Sequence, residues 1–188
     1  MTDGPQLQTE RLLLRRWREE DLPGLARINA DPLVMEHFPA PLSDAESADQ
    51  LRRLELSFRR HAIGFWAVEI RGGEPLIGFV GLSPVDPTLA FAPAVEIGWR
   101  LAREHWGLGL AHEAASASLE YGFCSLGLEE IVSYTTTRNK RSRRLMVRLG
   151  MSHDPSADFL HPQLDPADSI APHVLYRLSA GTWRAERP

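Results

Sequence analysis

The chain changes its spacing of apolar and polar residues several times, and each change predicts an element. The apolar-rich stretch from Arg11 to Trp17 reads as a strand, and Asp21 with Pro23 just behind it opens a helix that runs to about Ala30. Pro32 ends that helix. Ser43 and Glu46 form a capping-box pair, and Leu51, Leu54 and Phe58 mark a second helix to about Arg60. FWAVEI (Phe65 to Ile70) and LIGFVGL (Leu76 to Leu82) read as antiparallel strands joined at Gly72 and Gly73. VEIGWRL (Val95 to Leu101) alternates Val95, Ile97, Trp99 and Leu101 with Glu96, Gly98 and Arg100, which predicts a half-buried strand with its polar side outward.

The period then switches to helical. From Ala111, the positions Ala115, Leu119, Phe123 and Leu126 share one face, and Gly127 supplies a stop. EIVSYTTT (Glu130 to Thr137) is strand-like again, so strand, helix and strand form a crossover whose two strands should lie parallel. Asn139 caps a last long helix with Leu145, Met146 and Leu149 on its apolar stripe and Gly150 at its end. MSHDPSADFL and HVLYRLS add two strands, and the proline-rich stretches Pro84 to Pro93 and Pro155 to Pro172 read as loops bordering an active cleft. The fold class is mixed α/β.

Composition narrows the options. A chain of 188 residues with 43% hydrophobic content suits a single domain over residues 1–188. A formal net charge of -4 argues against nucleic acid as the main partner. Cys124 stands alone between Phe123 and Leu126, which predicts a buried thiol, excludes an intrachain disulfide or multi-cysteine metal site, and fits a reducing compartment. The polar start MTDGPQLQTE lacks a signal-peptide core, and no apolar run reaches membrane-spanning length, so a cytoplasmic location with no membrane partner is expected.

The chemistry concentrates in WGLGLAHEA, Trp106 to Ala114, where a strand gives way to a helix across Gly107 and Gly109. Without Cβ atoms the backbone can turn sharply there, and the free N–H groups of a helix N-terminus favour an anion. A plain tight turn is the alternative. No Lys-Ser/Thr pair follows the glycines and no GxGxxG is present, so neither a P-loop nor a dinucleotide fingerprint applies. Downstream, Asn139 is followed three residues later by Ser142 on the same first turn of the last long helix.

Together with TERLLLRRWREED, GFVGL, VEIGWRL, NKRSRRLMVRLGM and HVLYRL, this ordered set resembles the Gcn5-related N-acetyltransferases, specifically the RimJ/RimL-like branch. The resemblance runs over nearly the whole chain. It implies a mostly antiparallel mixed sheet flanked by helices, with a splayed parallel strand pair that admits acetyl-CoA. The superfamily's loop reads Arg or Gln, two residues, Gly, one residue, then Gly or Ala. Gly109 and Ala111 match, while Trp106 stands in the Arg/Gln position, as is common in this branch.

On that resemblance, pantetheine would pair with the backbone of Trp99, Arg100 and Leu101, and pyrophosphate would meet Trp106, Gly107, Leu108, Gly109, Leu110, Ala111 and His112. Backbone N–H groups near Leu101 would polarise the thioester carbonyl. Asn139 would contact the cofactor beside its capping role. Ser142 is the candidate general acid, with an ordinary capping or solvent-facing role as the alternative, and Arg143 is the member of the basic cluster chosen for the CoA phosphates.

Glu96 is the candidate general base, although an outward strand glutamate is commonly just solvated. His153, Asp154, Asp158 and His161 compete for that role. His37, Phe38 and Trp66 would line the acceptor side, unless the aromatics are core. The activity implied is acetyl transfer from acetyl-CoA to a primary amine, a protein N-terminus or small molecule, in a ternary complex without a metal. The resemblance also admits a homodimer. A non-catalytic acyl-CoA sensor of the same fold is the alternative function.

Overall fold

The computed structural model describes residues 5–185, so the first four residues of the polar N-terminal segment lie outside the described residues. Two compact units are present. One holds the described residues up to Ser83 together with Gly98–Ser118, and the other holds Pro84–Ile97 and the described residues from Leu119 onward.

In the first unit, strands β1 (Leu7–Gln8), β2 (Leu12–Arg15), β3 (Phe65–Ile70) and β4 (Gly78–Pro84) pair antiparallel in chain order, with Leu14 opposite Val68 and Trp66 opposite Val80. Helices α1 (Leu22–Ala30) and α2 (Asp44–His61) precede β3. The Ser43/Glu46 box forms as expected, with Ser43 Oγ accepting from Glu46 N. Asp21 occupies the N-cap position of α1 without capping it, because its carboxylate is drawn to Arg15 and to Arg18 N. Leu25 and Ile28 of α1 and Leu54 and Phe58 of α2 are buried, and the Phe58 ring lies 5.4 Å from that of Trp66. Strands β4 and β5 (Val95–Leu101) come so close that a Cβ on Gly78 would lie 2.2 Å from Arg100 O, and φ is +143° there, so only glycine fits.

The second unit is organised on β9 (Pro172–Ser179). This strand pairs antiparallel with β6 (Glu130–Thr136), and also with the two-residue strands β7 (Ser152–His153) and β8 (Phe159–Leu160). The expected strand over MSHDPSADFL is thus two short pieces interrupted by a 3-10 turn at Pro155–Ala157, where proline cannot donate to a ladder. β5 and β6 are parallel, with Glu96 opposite Val132 and Ser133 Oγ donating to Ile97 O at 2.9 Å. Val85, Leu89, Val132 and Leu175 form the local core, with Phe91, Tyr134 and Phe159 against it. Helix α4 (Lys140–Arg148) buries Met146 and is followed by Gly150 at φ +81°.

Helix α3 (Leu110–Glu120) follows the glycine loop and runs into a π-helical turn at Tyr121–Ser125. That turn corrects two expectations. Ala115, Leu119 and Phe123 are buried, but the wider i→i+5 winding, with Leu126 N donating to Tyr121 O, rotates the end of the face outward. Cys124 and Leu126 are therefore exposed. The outward polar side of β5 is also overturned: Arg100 is only 9% exposed, because α1 and the residues around Phe38 cover it. Among the described residues, no helix is long and apolar enough to cross a membrane.

Candidate active site

β5 ends at Leu101, a 3-10 turn covers Arg103–His105, and the chain then passes Gly107 (φ +75°) and Gly109 (φ +80°) into α3. Both glycines hold a left-handed conformation that a side chain would strain. A Cβ at Gly107 would meet nothing within 4 Å, so the loop leaves open space on that side. The first N–H groups of a helix have no intrahelical acceptor, and the macrodipole adds partial positive charge at the same point. A concave loop of this kind suits a diphosphate.

The loop is held from a distance in sequence. Arg11 Nη1 donates to Leu108 O at 3.0 Å, Arg11 Nε donates to Glu113 Oε2 at 2.6 Å, and Arg11 N and Thr9 Oγ1 both donate to Glu113 Oε1. Desolvation raises the Glu113 pKa, but the hydrogen bonds from Thr9 and Arg11 outweigh it and keep the carboxyl below its ordinary value. Arg11 Nη2 sits 3.5 Å from the position a Gly109 Cβ would take. Neither Arg11, Thr9 nor Glu113 was singled out in the sequence, because their association spans more than 100 residues. The pairing of TERL with HEA in one set of motifs was the only signal.

Trp106, in the position where the superfamily has Arg or Gln, turns inward. Its Nε1 donates to Leu101 O at 2.9 Å and its ring packs on the cluster of Ile28, Val34 and Ala102, so it braces the strand end against the loop. Leu108 projects outward and Leu110 is buried. Trp99, Ala111 and His112 are half-buried. Of the residues expected to line the acceptor side, Phe38 is 42% exposed and its ring lies over the Arg100 guanidinium, while the half-buried His37 lies 3.8 Å from Glu36. Trp66 is corrected: it is 0% exposed with Nε1 donating to Pro5 O, a core residue whose side chain cannot line a substrate pocket.

A second cluster forms within the other unit. Glu96 accepts a hydrogen bond from the Tyr134 hydroxyl, and burial pushes the Glu96 carboxyl up to about 7 despite that bond. Burial and the neighbouring Glu96 push the Tyr134 hydroxyl upward, so it stays protonated and acts as the donor. The His161 and His173 rings lie 6.4 Å and 6.3 Å from that of Tyr134 and 5.0 Å from each other. Desolvation lowers the pKa of both, favouring neutral imidazoles. Glu96 is thus no solvated strand carboxylate.

Of the competing bases, only His161 joins this cluster. His153 pairs with Asp158 at 2.7 Å and stacks on Tyr176, and Asp154 accepts from Ser156 N and Oγ. Asn139 Oδ1 accepts from Ser142 N at 3.1 Å while its Nδ2 donates to Thr135 Oγ1, so the Asn/Ser turn is built as predicted with Ser142 half-buried. Arg143 donates from Nη1 to Thr137 O and from Nε to Tyr176 Oη, which ties much of its guanidinium to the protein. Among the described residues, no three His, Cys, Asp or Glu side chains are grouped to hold a metal ion.

Comparison with known proteins identifies the family. Residues 11–152 match the acetyltransferase (GNAT) domain model. The chain is 32% identical over 151 residues to the uncharacterized N-acetyltransferase p20 of Bacillus licheniformis, covering 79% of this chain and 83% of that protein. It is 32% identical over 194 residues to the FsC-acetyl coenzyme A-N(2)-transacetylase of Aspergillus fumigatus, covering 98% of this chain and 80% of that one. An acetyltransferase structure from Agrobacterium tumefaciens superposes with a TM-score of 0.75 at 26% identity, covering 93% of this chain and 94% of the other.

Proposed function

The chain belongs to the GNAT acetyltransferase family, and from that premise we propose that it moves an acetyl group from acetyl-CoA to a primary amine by direct attack, as one domain of the RimJ/RimL-like branch. The observation that carries this reading is the glycine loop at the head of α3, open at Gly107 and locked by Thr9, Arg11 and Glu113. Backbone N–H groups of residues 107–112 are its diphosphate ligands, and the backbone of Trp99, Arg100 and Leu101 meets the pantetheine arm.

Acetyl-CoA supplies the activated thioester. The amine must lose a proton as its nitrogen bonds to the acetyl carbon, and the departing sulfur must gain one as the C–S bond breaks. Glu96 takes the first proton: a carboxyl whose pKa is near 7 is half ionised at neutral pH and basic enough to accept it. Tyr134 positions that carboxyl by donating to it. Ser142 donates the second proton, supported by its first-turn position beside Asn139. The acceptor is a small amine or a protein N-terminus, and the single cysteine fits a cytoplasmic setting.

The test is thiol release from acetyl-CoA against a panel of amines. Amine-dependent release with Ser142→Ala lowering kcat and sparing acetyl-CoA affinity is the expected result. Tight acetyl-CoA binding with no turnover on any amine would instead favour a sensor.

A further inference from the structure

The strongest feature outside that chemistry is Arg100. Its side chain sits on β5 with 9% exposure, between the rings of Phe38 and Phe79 at 4.3 Å and 5.1 Å from their centroids. Nη1 donates to Asn29 Oδ1 at 2.6 Å. Asn29 is itself fully buried, and its amide is oriented by donating to Ser47 Oγ and Gln50 Oε1 of α2, so its oxygen is aimed at the guanidinium. The buried Nε–H has no hydrogen-bond partner, and no carboxylate among the described residues pairs with this cation.

Stacked rings cover the faces of a guanidinium but do not satisfy its N–H groups, which all point outward in its plane. What the site lacks is an in-plane acceptor carrying negative charge. Burial alone acts on this arginine, lowering its pKa to about 10, with no opposing contribution from an acid. At neutral pH it is still a cation. A carboxylate is the group whose two oxygens match the edge of a guanidinium. Phe38, 42% exposed, is the exposed member of the shell around the guanidinium.

We propose that Arg100 binds the carboxylate of the acceptor, so that the amine this transferase takes is one that also carries a carboxylate, as an amino acid does. The proposal rests on the transferase reading above and specifies its substrate class. In this reading Arg100, expected to point outward, is a buried anion receptor held by Asn29, which Ser47 and Gln50 orient in turn.

Matched acceptor pairs test it: serine against ethanolamine, tyrosine against tyramine, and amidated Ser-Asp-Ala against amidated Ser-Asn-Ala to separate a free amino acid from an acidic peptide. The wild-type chain should favour the carboxylate member of a pair by at least about tenfold in kcat/KM, mostly through KM, because a site built for a polar group rejects the analogue lacking it. Arg100→Gln should bring that ratio to about one, and Arg100→Lys should restore it only in part because an ammonium lacks the fork. Equal use of both members by the wild type, or a ratio that survives Arg100→Gln, would overturn the proposal.

A readout independent of turnover keeps the two claims apart. Serine, but not ethanolamine, should raise the melting temperature of the wild-type chain, and Arg100→Met should lose that rise while folding normally. Should the chain bind acetyl-CoA yet acetylate nothing, the transferase mechanism fails and this melting experiment decides Arg100 alone: no serine-dependent rise in the wild type overturns it.

Discussion

Arg15 and Arg100 are both buried in the first unit, yet one is closed and the other open. Arg15, 1% exposed, engages all five of its N–H donors: Asp21 takes two at 2.8 Å, Glu69 takes Nε at 2.8 Å, and the carbonyls of Arg16 and Pro75 take the rest. Hydrogen bonding to Asp21 outweighs desolvation and raises its pKa further. Arg100 has one amide oxygen, two phenyl rings and an unsatisfied Nε. Both are nonetheless buried. The difference lies in whether the protein itself supplies the opposite charge, as Asp21 and Glu69 do for Arg15.

Replacing each arginine by methionine is the most forceful way to break that comparison. Arg15→Met should cost about 3–5 kcal/mol in urea unfolding at pH 7, because Asp21 and Glu69 are left without their cation in a low-dielectric setting. Arg100→Met should lie within about 1 kcal/mol of the wild type or above it, since no partner is orphaned except Asn29 Oδ1. Equal losses would mean that Arg100 is as structural as Arg15.

The same contrast with the sign reversed holds in the other unit, where Glu96 has a tyrosine but, among the described residues, no paired cation. With its pKa raised from 4.5 to about 7, the carboxyl holds its proton in the folded chain over that interval, whereas the unfolded chain has lost it. Stability should therefore fall as pH rises from about 4.5 to 7, and Glu96→Gln should flatten that slope in urea titrations. The basic form is the active one, so kcat/KM should rise through pH 7. Glu96→Gln should remove that limb with a loss on the order of a hundredfold. Tyr134→Phe should move the limb to higher pH, because the bond it removes favours the carboxylate.

Arg11 is the intermediate case, a half-exposed guanidinium with one carboxylate. Arg11→Ala should change stability by less than about 1 kcal/mol, as exposed ion pairs do, yet weaken acetyl-CoA binding about tenfold by calorimetry because Leu108 and Glu113 lose their tie. Unchanged affinity would reduce Arg11 to surface decoration. The smallest effect belongs to Cys124, where Cys124→Ser should leave the urea midpoint unchanged because the side chain is exposed.

Local signals were legible at their own positions. The Ser43/Glu46 box, the Asn139 cap over Ser142, the β5 bounds and the two left-handed glycines all depend on residues within a few places of one another, and the structure builds each as expected. Misses fall where a distant segment covers or redirects a side chain. Trp66 looked like a lining aromatic and is core, Asp21 looked like a cap and pairs with Arg15, and Cys124 looked buried until a π-helical turn rotated it outward.

The amino-acid order alone thus determined the main helices and strands, the parallel β5–β6 crossover and the family, because periodicity, capping and turn chemistry act over a few bonds. Tertiary structure decided which charges are answered. Asp21 and Glu69 close on Arg15, Arg11 reaches across to Glu113, and Arg100 and Glu96 are desolvated with no counter-ion paired to them among the described residues. Desolvation and ion pairing depend on what lies within a few ångströms in space, and that distance is not written in the spacing of residues along a chain.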